Sequence, residues 1–108
     1  MPIHNKLVRD RIPEVIEKTG KKFSTRIMDK EEYIVELRKK AFEELDEYMK
    51  TQNDSDAVEE LADLLEIIHA FADVHNSTFD TIESVRKEKA EKRGGFKERI
   101  FLIEVEDE

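Results

Sequence analysis

A chain of 108 residues falls in the commonest size range for one compact domain, and neither a repeat nor a linker divides residues 1–108. Apolar residues make up 38% and charged residues 43%, a thin core under a charged surface, and the lack of cysteine excludes disulfides and thiolate metal sites. A net charge of −8 argues against nucleic-acid partners, which call for a clustered basic face, and no apolar run approaches the ~20 residues of a membrane span.

The opening MPIHNKLVRDR lacks the apolar stretch of a secretory signal, so a cytoplasmic protein is expected. RIPEVIEKTGKK reads as a short helix, with Pro13 in its first turn and Gly20 just past its end. KFSTRIM alternates weakly and suits a short extended connection. Asp29 with Glu32 resembles a capping box. The 3- and 4-residue spacing of Ile34, Leu37, Ala41, Leu45 and Tyr48 then marks one face of a long helix. TQNDSD is a polar turn, and Asp56 with Glu59 offers the next cap.

The helix that follows carries Leu61, Leu64, Leu65, Ile68 and Ala72, with Ile67 and Phe71 widening its apolar arc. So wide an arc belongs at the centre of a domain or in a subunit interface. HNS breaks that pattern. A further helix runs from about Thr78 to Arg93 and stops at Gly94-Gly95. Ile100, Leu102 and Ile103 in FKERIFLIEVEDE suit an extended tail or a strand. The fold class is all-α, a mostly antiparallel helical bundle. Its thin core is expected to be completed by self-association to a dimer or tetramer.

Two carboxylate pairs stand out. Residues three apart share a helix face, so Glu44 points with Glu47 and Glu60 points with Asp63. Glu60 falls inside the apolar arc, between Ile67, Leu64 and Phe71, where an isolated ionised carboxylate is costly to desolvate. Several carboxylates around a hard divalent cation offset that cost, and Mg²⁺ prefers oxygen ligands while keeping waters for a substrate phosphate. A chain with 27 acids also shows such spacings by chance on solvated faces. Lys89, Lys92 and Arg93 gather just before Gly94-Gly95, either as phosphate ligands or as i,i+4 partners of Glu88 and Glu91. Lys6, Arg9 and Arg11 either close over the site or make surface ion pairs, with Asp10 holding the arginines. Glu66 and His69 form an E-x-x-H, but di-iron bundles need that motif on two helices and only one copy is present.

The run Glu43-Glu44-Leu45-Asp46-Glu47, then residues 48–59, then Glu60-Leu61-Ala62-Asp63 resembles the E-E-x-x-E and E-x-x-D signature of the MazG-like all-α nucleoside triphosphate pyrophosphohydrolases. The flanking KLVRDRIPEVIE and KAEKRGGFKERIFL look like a subgroup described as phosphoribosyl-ATP pyrophosphohydrolase-like, or house-cleaning, and the likeness spans nearly the whole chain. That resemblance implies a single MazG-like helical domain with Glu44, Glu47, Glu60 and Asp63 as Mg²⁺ ligands and catalytic residues, Mn²⁺ being a possible substitute. It also implies Lys89 and Arg93, with Lys92 beside them, against the triphosphate. The implied reaction is hydrolysis of the α–β phosphoanhydride of a standard or non-standard nucleoside triphosphate to monophosphate and pyrophosphate. Glu43, Glu59 and Glu66 are further acids at hand for a general base. No motif ties the chain to histidine biosynthesis. The competing expectation is a non-catalytic helical homo-oligomerisation module with solvated acids. Phe23, Tyr33 and Phe96 can stack on a base or fill the core.

Overall fold

The computed structural model describes residues 2–107 and contains four α-helices: α1 (Ile12–Glu17), α2 (Lys30–Met49), α3 (Asp54–Val74) and α4 (Phe79–Arg93). Among the described residues there is no strand, so the all-α expectation holds and the tail is irregular chain. The two long helices pack on each other, and α4 packs on α3. Joined by a few residues, α2 and α3 must run antiparallel.

Local chemistry accounts for the boundaries. α1 carries Pro13 in its first turn and ends at Glu17, and the turn that follows closes at Gly20, whose φ of 77° is the left-handed conformation glycine adopts without a Cβ clash. Asp29 caps α2, its carboxylate accepting from the Glu32 amide at 2.8 Å. The expected capping box is half made: the Glu32 carboxylate turns outward to a bidentate pair with Arg26, both contacts 2.7 Å.

The start of α3 differs from expectation. Asn53, not Asp56, is the N-cap, accepting from the Asp56 amide at 2.8 Å and donating its side-chain amide to the Asp56 carboxylate at 2.9 Å. Asn caps as well as Asp, and its NH₂ adds a donor that no carboxylate has. The helix gains most of a turn as a result. At the other end the HNS break is a Schellman turn. Asn76 sits at φ 55°, its amide donates to Asp73 O at 3.0 Å, and the Ser77 amide donates to Ala72 O at 2.8 Å. Thr78 then caps α4, accepting from the Thr81 amide at 3.1 Å.

The interior is small. Leu37, Ile67 and Ala72 are the buried hydrophobic residues, and α1 and α4 bury none. The radius of gyration is 18.8 Å, against about 13 Å for a compact chain of ~100 residues. Much apolar surface therefore stays in water. Counting about 100° per residue from Leu37, the exposed Val35, Phe42, Leu45 and Met49 lie roughly 80–160° round α2. Counted from Ile67, the exposed Val58, Leu61 and Leu65 lie about 120–180° round α3 in the same sense. In an antiparallel pair, equal senses of rotation lead to one shared face. The opposite rotation, about 80–120°, brings Glu43, Glu47, Glu59 and Glu66 onto the other face. The hairpin is apolar on one side and acidic on the other.

Candidate metal centre

The acidic cluster lies in the seam of this hairpin. Glu44 on α2 projects within about 20° of the Leu37 direction, and Glu60 and Asp63 on α3 lie within about 40° of Ile67, so the three carboxylates face one another across the helix pair. One carboxylate oxygen from each of Glu44, Glu60 and Asp63 lies within 4.8 Å of the others. Glu44 is largely covered, its side chain 14% exposed, while Asp63 is 42% exposed and Glu60 is half-buried. The seam is thus closed at Glu44 and open toward the acidic face.

Burial, followed by the hydrogen-bonding proximity and charge of Glu44 and the charges of Asp63 and Glu47, raises the Glu60 carboxyl above its ordinary pKa. Crowded carboxylates resist ionising together, and a divalent cation reverses that penalty. The ligand set suits a hard ion. Oxygens on an octahedral Mg²⁺ stand about 3–4 Å apart at bond lengths of ~2.1 Å, so modest rotation of the three side chains closes the cluster round one ion.

Two cations flank the triad. Arg9 Nη2 donates to Asp63 Oδ1 at 2.7 Å, and Lys40 Nζ stands 3.6 Å from Glu44 Oε1 and 3.7 Å from Glu43. Three carboxylates against two cations leave a net negative charge in the seam. The i,i+4 spacing of Lys40 and Glu44 is the signal in the sequence for Lys40. Arg9 makes a surface ion pair, as one of the two readings of the N-terminal cluster expects, and its partner is Asp63 of the triad.

The other expected site residues are placed less centrally. Glu47 is exposed on the acidic face; its charge reaches Glu60, but its oxygens lie outside the triad. Lys89, Lys92 and Arg93 are exposed on the last turns of α4, where Lys92 pairs with Glu88 at 3.0 Å. Among the described residues no ion pair joins them to the seam. His69 stacks on Phe79, with ring centroids 4.2 Å apart at 15°, and so helps fix α4 to α3. His69 is thus an exposed helix-surface residue. Phe96 is 97% exposed in the tail and fills no core. Burial, then the charges of Asp10 and Asp73, raises the Tyr33 hydroxyl above its ordinary pKa.

Fold and site together define an all-α protein with a helical-hairpin core and a half-buried acidic triad able to hold a metal ion. No known protein family, curated protein or solved structure matches the chain.

Proposed function

We propose that the protein is a Mg²⁺-dependent nucleotide pyrophosphohydrolase, hydrolysing the α–β phosphoanhydride of a nucleoside triphosphate to monophosphate and pyrophosphate. The observation that carries this reading is the meeting of Glu44, Glu60 and Asp63 from two helices at a half-buried seam. The three carboxylates converge with only Arg9 and Lys40 to offset their mutual repulsion. The E-E-x-x-E and E-x-x-D spacing supports the choice of reaction.

Bound Mg²⁺ would neutralise charge building on the phosphates and activate water for in-line attack. The chain's own part is to hold and orient. Glu44, Glu60 and Asp63 supply oxygen ligands on the closed side of the seam. Glu47, on the open face nearby, completes the ligand set by a change of side-chain rotamer or takes the proton of the attacking water. Lys89, Lys92 and Arg93 offer cations to the phosphates at the far end of α4.

Self-association completes the protein in this reading. The face of Val35, Phe42, Leu45, Met49, Val58, Leu61 and Leu65 exposes roughly 700 Å² of side-chain surface, taking about 150–200 Å² for each side chain in full. A standard stable interface buries ~800 Å² per partner. The same observation favours the second reading, an association module without catalysis.

The two readings separate at the carboxylates. Pyrophosphate release is measured over a panel of nucleoside triphosphates with Mg²⁺ and with chelator, on the natural chain and on Glu47→Gln and Asp63→Asn. The enzyme reading expects metal-dependent release from at least one nucleotide, with turnover abolished in both variants while the helical signal persists. Absence of divalent-ion binding by titration calorimetry, with no release from any nucleotide, leaves the association module.

A further inference from the structure

Helix α3 carries seven acids (Asp54, Asp56, Glu59, Glu60, Asp63, Glu66 and Asp73) and no Lys or Arg. Its residues three and four positions from Asp63 are Glu59, Glu60, Glu66 and Ile67, so no i,i+4 cation is available to Asp63 on its own helix. The counter-charge comes from outside. Lys40 on α2 serves Glu44, and Arg9 reaches Asp63 from 54 positions away. Arg9 sits on an arm without helix or strand, which precedes α1. Leu7 and Val8 of the arm are half-buried, while Arg9 is exposed. The arginine is thus paired with a more exposed carboxylate of the triad, Asp63 at 42% against 14% for Glu44.

We propose that Arg9 exchanges partners. In the metal-free protein it is a tethered counter-cation on Asp63; a divalent ion displaces it, and its guanidinium then binds a phosphate group of the anionic ligand that the ion carries. The inference rests on the metal-site reading above and deepens it. Two like charges sharing one carboxylate repel, so the ion loosens Arg9 from Asp63. Both side chains of the pair are about half exposed, 57% and 42%, and such pairs are weak enough to exchange. Once released, the guanidinium remains within an arm's length of the ion's outer coordination positions. Its planar fork matches two phosphate oxygens, a geometry that Lys40, a point charge deeper in the seam, does not offer.

The test uses the full-length chain with Arg9→Gln and Arg9→Lys, both checked by circular dichroism for unchanged helicity. Titration calorimetry with Mg²⁺ alone is expected to show Arg9→Gln binding the ion about two- to fivefold tighter than the natural chain, since the competing pair is gone. With the best nucleotide of the panel, KM is expected to rise on the order of tenfold or more while kcat changes little. Arg9→Lys, which keeps the charge and loses the fork, should restore the Mg²⁺ affinity of the natural chain and only part of the KM. Should neither the natural chain nor Arg9→Gln bind Mg²⁺, the metal-site reading itself falls. If the natural chain binds Mg²⁺ and Arg9→Gln binds it no tighter, or if KM is unmoved in Arg9→Gln, the exchange is wrong and the metal site stands.

Discussion

Phe42 offers the sharpest test of the apolar face. Its ring is 75% exposed in the protomer, which leaves about 150 Å² of a ~200 Å² side chain in water. At ~25 cal/mol per Å², covering it is worth up to about 4 kcal/mol for each copy, before the costs of association are subtracted. A symmetric pair contains the ring twice, so Phe42→Asp removes both contributions and adds a charge on each side. Weakening of self-association by at least ~100-fold, about 2.7 kcal/mol, is a conservative expectation. Light scattering on size-exclusion fractions, over about 1–100 µM, reads the mass directly. The natural chain is expected as a dimer or tetramer and Phe42→Asp as a monomer at the same concentrations. Because Phe42 lies outside the Leu37, Ile67 and Ala72 core, the variant should keep its helical signal. A monomeric natural chain at the highest concentration, or an unshifted mass for Phe42→Asp, refutes the assignment of this face.

Two further outcomes follow from the seam and from the start of α3. The Glu60 carboxyl is raised above its ordinary value, so its ionisation works against folding in the metal-free protein at neutral pH. The native state binds the proton more tightly than the unfolded chain. That contribution to stability is therefore gained as pH falls through the raised folded-state value and levels off below the unfolded one. Glu60→Gln is expected to raise Tm in chelator near pH 7, to lose that advantage toward pH 4, and to lack the Mg²⁺-induced rise in Tm expected of the natural chain. An advantage independent of pH sinks this account. At the start of α3, Asn53→Ala should cost about 1 kcal/mol and Asp56→Ala only a few tenths, read by urea denaturation. The reverse order would place the cap at Asp56.

Helix existence was legible wherever apolar residues recur with helical spacing, and the stops at Gly20 and Gly94 were legible because a left-handed or open backbone there calls for glycine. The cap of α3 was misread by one turn. TQNDSD contains two cap-competent starts, and only the reciprocal hydrogen bond between Asn53 and Asp56 decides between them. In the site, helical spacing placed Glu60 and Asp63 on one face of α3, whereas their meeting with Glu44 across the helix pair was implied only by the family resemblance. The same spacing turns Glu47, three residues on from Glu44, about 60° further round α2, onto the acidic face. Arg9 lies 54 positions from Asp63, and no local pattern encodes a contact of that range. The wide apolar arc of α3 was read as the mark of a central or interface helix. What its sequence left hidden was that α4 packs only near Ala72, because the second half of α4 is almost all charge (Arg86, Lys87, Glu88, Lys89) and has nothing to lay over Leu61 and Val58.

The two faces of the hairpin make opposite demands, and the same pair of helices meets both. A seam holding three carboxylates is destabilising by itself, since half-burial and mutual repulsion raise Glu60. A core of three buried hydrophobic residues leaves little stability to offset that penalty. Pairing through the apolar face adds burial on the side away from the acids, so two copies can associate without covering either triad. On the metal-site proposal, Mg²⁺ binding is expected within the single hairpin. Monomeric Phe42→Asp should still bind the ion by calorimetry with near-unchanged affinity, although its Tm falls. If Mg²⁺ binding disappears together with the dimer, the ligands must come from two copies, and the seam within one hairpin is not the metal centre.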